Sequence, residues 1–220
     1  LARNPDGSIR RGIDLDFGQR YHSKLEAYSA ELQQVWQNES HTLILGGRFQ
    51  TGEVHTESAI TRSPTAFPAN LIEAPILQGN TQNLERFSFY AYHQWQLFEP
   101  LRVIAGLSYD RLVFPKNVDF PPISEGQRDE EQVSPKAGFV WTPAQNTAVR
   151  GMFSQSLGGL YYDTSVRLEP TQLAGFVQAF RSAIPESEAG LVAGSSFATW
   201  GLALEHRFPT DTYLGCEGEI

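Results

Sequence analysis

The side chains with chemical potential in this chain stand at alternating positions. Arg48, Arg102, Asp110, Lys136, Arg150, Glu205 and Arg207 each fall on the polar set of a run of period two, mid-strand or near a strand end. In a strand, such a charge points away from the face that carries the apolar set. Charges arrayed this way could bind or steer a polar solute, or could simply be solvated. Spacings that assemble a reaction centre are missing. The histidines (His22, His41, His55, His93 and His206) form neither an H-x-H nor an H-E-x-x-H pattern, so a zinc site of that kind is not expected. No G-x-S-x-G stretch offers a nucleophile on a tight turn, and "SQSLGG" reads better as a strand end beside a loop. An acid–histidine group could be imagined from Asp110, His55 and Glu57, but no catalytic residue is assigned and the chain is not read as an enzyme. "GQRDEE" (126–131) could offer carboxylates to Ca²⁺. A solvated loop run explains it more simply, and no metal or cofactor is expected.

The elements that must position these groups are strands. "LRVIAGLSYDRL" (101–112) sets Leu101, Val103, Ala105, Leu107 and Tyr109 against Arg102, Gly106, Ser108 and Asp110, with Ile104 the one apolar member of the polar set. The same two-faced pattern recurs in "GIDLDFGQR", "AYSAELQQVWQ", "HTLILGGRFQTGEV", "RFSFYAYHQWQL", "VSPKAGFVW", "TAVRGMFSQS", "FATWGLALEHRF" and "TYLGCEGEI". Short connections fall at "NES" (38–40), "FEP" (98–100), "PAQN" (143–146) and "PTD" (209–211), each with residues that make tight turns. Long ones, rich in Pro, Gly, Ser and acids, span roughly 55–83, 115–131 and 158–195. Along the chain every short turn falls at one end of the strands and every long loop at the other. Within the last loop, Leu173, Phe176, Val177, Phe180 and Ile184 recur at steps of three and four after Pro170. That spacing predicts a helix, although two short strands would keep the same order of turns.

Bulk properties narrow the classes. The chain has 220 residues and a formal charge of −8, with no Lys/Arg cluster to track phosphates, so no nucleic-acid partner is expected. A single cysteine, Cys216, excludes a disulfide framework within the span. No apolar run approaches the ~18 residues of a membrane helix, and mean hydropathy is −0.33. Neither observation bears on a membrane barrel, whose strands are apolar on one face only. The chain opens on Leu1, and its one Met is Met152. Together with the strand-like "YLGCEGEI" at its end, this suits a portion of a longer chain.

Two-faced strands fit a soluble sheet with an apolar core or a membrane barrel with an apolar exterior. Three features favour the barrel. The runs extend over about 9–14 residues, where soluble strands average about 5–6 and a tilted crossing of a bilayer takes about 9–11. Short turns at one end and long loops at the other are the outer-membrane arrangement. Aromatic residues (Trp36, Phe98, Trp141, Phe208 and Tyr213) mark the short-turn ends, where amphipathic rings settle at the headgroup level. The expected fold is therefore all-β: an antiparallel transmembrane β-barrel segment of about 8–10 long strands with short periplasmic turns, long outer loops and one loop helix, part of a larger barrel. Residues 1–220 read as a single partial barrel domain with no plug domain in the span.

"YAYHQWQLFEPLRVIAGLSYDRL" is similar to the aromatic strand, short Pro turn and "AGLxYD" strand of TonB-dependent outer-membrane receptors. "VSPKAGFVWTPAQNTAVRGMFSQSL" resembles a further hairpin of that family, "SPKxGxxWxP" followed by a strand with a polar Ser run. These stretches cover residues 90–112 and 133–157. The resemblance implies part of a barrel of about 22 strands with a plugged lumen, seated in a Gram-negative outer membrane. It also implies solute partners such as an iron chelate or carbohydrate, and a TonB energy-transducing complex. A passive porin or structural barrel stays open as the alternative, as does a soluble β-sheet binding module. Ligand contact is expected from the long loops and the polar face: Phe67, Phe120, Tyr161 and Tyr162 could stack on a solute, and Arg102, Asp110 and Arg150 could meet it in the lumen.

Overall fold

The computed structural model describes residues 17–62, 76–116, 125–158, 167–178 and 194–220. Eight strands make one sheet: β1 (Phe17–Gln37), β2 (His41–Arg62), β3 (Ile76–Phe98), β4 (Leu101–Pro115), β5 (Gln127–Ala144), β6 (Thr147–Leu157), β9 (Ser196–Arg207) and β10 (Tyr213–Glu219). Each strand lies beside its neighbour in the chain, and β6 is joined to β9. The two-residue strands β7 (Gln172–Leu173) and β8 (Phe176–Val177) pair with each other outside that sheet.

The short connections close as their residues dictate. Asn38 Oδ1 accepts from the backbone N–H groups of Ser40 (3.0 Å) and His41 (2.8 Å), fixing the β1–β2 turn. Gln96 Nε2 donates to the carbonyls of Phe98 and Glu99 at the "FEP" turn, where the register slips between Gln96 and Phe98. At "PTD", Asp211 takes a left-handed conformation (φ 58°) and its carboxylate pairs with Arg207.

The strands run longer than their two-faced cores. β3 has 23 residues, well beyond the ~9–11 that cross a bilayer. The sequence expectation of a loop over 55–83 is corrected accordingly: β2 continues to Arg62 and β3 starts at Ile76. "QRDEE" (127–131), expected in a loop, opens β5. Polar residues alternate there on both faces, so no apolar contrast marks the strand.

The predicted loop helix is also corrected. Leu173 and Phe176 are cross-strand partners flanking a two-residue turn, with Ala174 at φ 52° and Gly175 at φ 90°. Positive φ at both central residues is the tight hairpin geometry. Partners across a two-residue turn are three apart in sequence and share a face, so they mimic helical spacing. Phe180 and Ile184 lie outside the described residues.

The chain divides into two compact units, residues 1–26, 53–82 and 115–126 in one, and 27–52, 83–114 and 127–220 in the other. In the first, His55 contacts Thr81 Oγ1 (2.8 Å) and Glu57 (3.1 Å), and Thr61 Oγ1 donates to the Gly18 carbonyl (3.1 Å). The second unit is inverted relative to a soluble sheet. Leu32, Phe89, Leu107, Trp200 and Leu202 are exposed on one face, Leu107 by 51% and Leu202 by 62%. On the other face Arg86, Ser88, Ser108, Asp110, Ser134, Lys136 and Ser154 are buried. Burial of the polar set with exposure of the apolar set is what a lipid-facing exterior requires.

Candidate functional site

The buried polar face of the second unit carries a docked hairpin. Glycines on that face make room for large groups. A Cβ at Gly106 would lie 2.8 Å from the ring of Tyr92, its cross-strand partner, and one at Gly46 would lie 2.3 Å from Tyr90. Over Gly138 and Gly201 there is space for the β7–β8 hairpin: their Cβ atoms would meet Ala174 at 3.0 Å and the Phe176 ring at 2.8 Å. Leu173, Ala174 and Phe176 settle here with Ile104, Met152 and Ala203, forming with Tyr90 and Tyr92 one apolar cluster.

Polar groups surround that cluster. The Glu31 carboxylate accepts from the backbone N–H groups of Leu168 and Glu169, each at 3.0 Å, and from Tyr90 Oη at 2.9 Å. Gln33 Nε2 donates to the Leu168 carbonyl at 2.6 Å. Tyr92 Oη donates to Glu169 Oε1 at 2.7 Å. Gln178 Oε1 accepts from Lys136 Nζ (2.8 Å) and Ser154 Oγ (3.3 Å), while its Nε2 donates to the Pro170 carbonyl (2.7 Å). Lys136 Nζ stands 4.0 Å and Arg167 3.8 Å from the Glu169 carboxylate. Burial holds the Glu169 carboxyl above its ordinary range, with Lys136 acting in the opposite sense.

Of the residues expected to meet a solute, the three described ones, Arg102, Asp110 and Arg150, each have separate partners. Asp110 is paired with Arg86 (2.8 Å to Nη2) and accepts from Ser88 Oγ (2.5 Å), and Arg86 also donates to the Leu157 carbonyl (3.2 Å). Arg150 is paired with Glu205, lies 3.8 Å from Glu217, and has its guanidinium 5.3 Å from the centre of the Phe176 ring. Arg102 is exposed near the "FEP" turn and donates to Gln96 Oε1 (3.2 Å). Phe67, Phe120, Tyr161 and Tyr162 lie outside the described residues. Of the "GQRDEE" acids, Asp129 and Glu131 pair with Arg111 on exposed strand ends. Among the described residues no group of three or more His, Cys, Asp and Glu side chains could hold a metal ion.

Sequence reasoning did not single out Glu31, Tyr90, Tyr92, Glu169 or Gln178 as site residues. One signal was present: Tyr90 and Tyr92 fall on the polar face of β3, and the flanking strands carry Gly46 and Gly106 on that same face. Aromatic rings covering cross-strand glycines are a recurrent sheet device.

The inverted sheet is matched by kinship. A family model described as TonB dependent receptor-like, beta-barrel, matches residues 2–186. The chain belongs to that family. The receptor fold is an antiparallel transmembrane barrel, and the sheet described above is a segment of its wall. Family members are Gram-negative outer-membrane receptors, not enzymes. Among curated proteins none matches the sequence. Solved structures agree on the fold. The copper transporter OprC gives a TM-score of 0.58 at 13% identity, over 91% of this chain and 30% of that one. The siderophore receptor PiuA from Acinetobacter baumannii gives 0.52 at 11%, over 90% and 32%. The ferric citrate transporter FecA gives 0.52 at 10%, over 91% and 27%. This receptor segment therefore spans under a third of the length of each of these chains.

Proposed function

We propose that this chain is part of the wall of an outer-membrane transporter that admits a solute through a plugged lumen and is energised by a TonB complex. The observation that carries the reading is the inverted polarity of the sheet, with leucines and aromatic rings exposed and serines, Arg86, Asp110 and Lys136 buried. Lipid accepts the first set and a polar lumen the second. The plug domain and the TonB-binding segment belong to the longer protein in this reading. The proposed solute is a small molecule such as an iron chelate or a carbohydrate; the structural neighbours, described as a copper transporter, a siderophore receptor and a ferric citrate transporter, make metal species the first to test. Phe67, Phe120, Tyr161 and Tyr162 are its proposed contacts in the outer loops, with Arg102, Asp110 and Arg150 bordering the lumen.

Two measurements test this. The full-length protein should fractionate with the outer membrane and require detergent for extraction. Cells producing it should accumulate radiolabelled iron or copper, free or chelated, only while the TonB complex is intact. Recovery as a folded, detergent-free monomer would refute the membrane reading. Uptake that persists without TonB would favour the passive porin.

A further inference from the structure

We propose that the β7–β8 hairpin is a permanent lining of the lumen that covers the charged groups beneath it, so that a solute passing over it meets the uncharged surface of Leu168, Gln172 and Val177 instead of Lys136, the cross-strand neighbour of Ser154. The inference rests on the transport reading and narrows it: over the hairpin itself, contact with the solute proceeds without ion pairs.

Three observations carry it. First, the hairpin is fixed. Leu173 and Phe176 are each 1% exposed, so undocking the hairpin would return two large apolar side chains to water. Its anchors come from five strands: Glu31 and Gln33 on β1, Tyr92 on β3, Lys136 on β5, Arg150 and Ser154 on β6, and Gly201 on β9. The turn is shaped for its seat, since a Cβ on Gly175 would overlap the Arg150 guanidinium. A displaceable lid would lose all of these contacts at once.

Second, the charged and polar groups beneath the hairpin are already engaged by it. Lys136 donates to Gln178, Tyr92 donates to Glu169, and Glu31 is occupied by backbone N–H groups. Third, the hairpin turns its own charges inward and its neutral side chains outward. Arg167 and Glu169 side chains are 7% and 6% exposed. Leu168 is 49% and Val177 65% exposed, beside exposed Thr171, Gln172 and Gly175.

The test is thiol modification of the full-length protein in outer membranes, in a Cys216→Ser background because Cys216 is an exposed free thiol. The probes are an anionic and a cationic methanethiosulfonate of similar size. Val177→Cys should react with both at comparable rates, and Ser154→Cys should react with neither. Replacing residues 171–177 by a short Gly-Ser linker should make Ser154→Cys reactive, with the anionic probe faster on the order of ten-fold. Glu31→Ala combined with Gln178→Ala loosens the hairpin without shortening it and should produce the same preference, which keeps the test decisive where the replacement does not fold. Equal reactivity of Ser154→Cys and Val177→Cys in the intact hairpin overturns the proposal, as does a lack of charge preference once the hairpin is replaced or loosened. Failure of the transport reading has a different signature: ready reaction of Leu107→Cys with the charged probes would place water on the apolar face.

Discussion

Glu31 caps the backbone of Leu168 across 137 positions of sequence. One carboxylate on β1 thereby receives the backbone N–H groups that open the hairpin segment and also holds the hydroxyl of Tyr90. Hydrogen bonds to a charged acceptor contribute about 1.5–3 kcal/mol, so this residue is a principal clamp of the hairpin. Glu31→Gln should leave the sheet folded and loosen the segment by roughly that amount. Hydrogen exchange at Leu168 and Glu169 reads the change, and unaltered protection there would contradict the role assigned to the carboxylate.

Gly201 is the floor beneath Phe176. Filling it with Gly201→Leu forces a side chain into space occupied by the ring, at a cost of about 1–3 kcal/mol for overpacking. The expected outcome is an expelled hairpin and new tryptic cleavage after Arg167, whose side chain is buried in the docked state. Equal resistance of the variant and the parent to trypsin would show that the seat tolerates the larger side chain.

Arg86 and Asp110 are a buried pair on the polar face, with side chains 2% and 9% exposed. Removing one partner strands the other: Arg86→Met or Asp110→Leu alone should destabilise by ~3–5 kcal/mol, and the double substitution by much less. Denaturant unfolding in detergent measures the cycle. Additive losses would mean that the two charges do not depend on each other.

On the apolar face, Leu202→Arg should block assembly at ~2–4 kcal/mol near the bilayer midplane, while Leu202→Phe should be nearly neutral. On the polar face the sequence alone suggests that an arginine at Ser108 would be mild. The structure leaves Ser108 only 4% exposed, so Ser108→Arg should also be damaging, there by overpacking, and Ser108→Ala should be harmless. The amount of folded barrel on semi-native gels separates these cases, and a harmful Ser108→Ala would place that residue in a role not assigned to it.

The sequence by itself determined which residues share a face. Period two is a local property of the extended backbone, so Leu101 to Tyr109 against Arg102 to Asp110 could be read before any fold was known. The turns at 38–40, 98–100, 143–146 and 209–211 were equally legible, because Asn, Asp and Pro act on their own neighbours. The polar ends of β2, β3 and β5 were not, since a strand polar on both faces has no contrast to display. The β7–β8 hairpin was concealed by a coincidence of geometry: a cross-strand pair at positions 173 and 176 copies a helical step. Tertiary structure alone decided what covers the polar face. Glu31 meets Leu168 and Tyr92 meets Glu169 across separations of 137 and 77 residues. Such contacts arise from closing a long loop onto a glycine-floored wall, and no local periodicity records them.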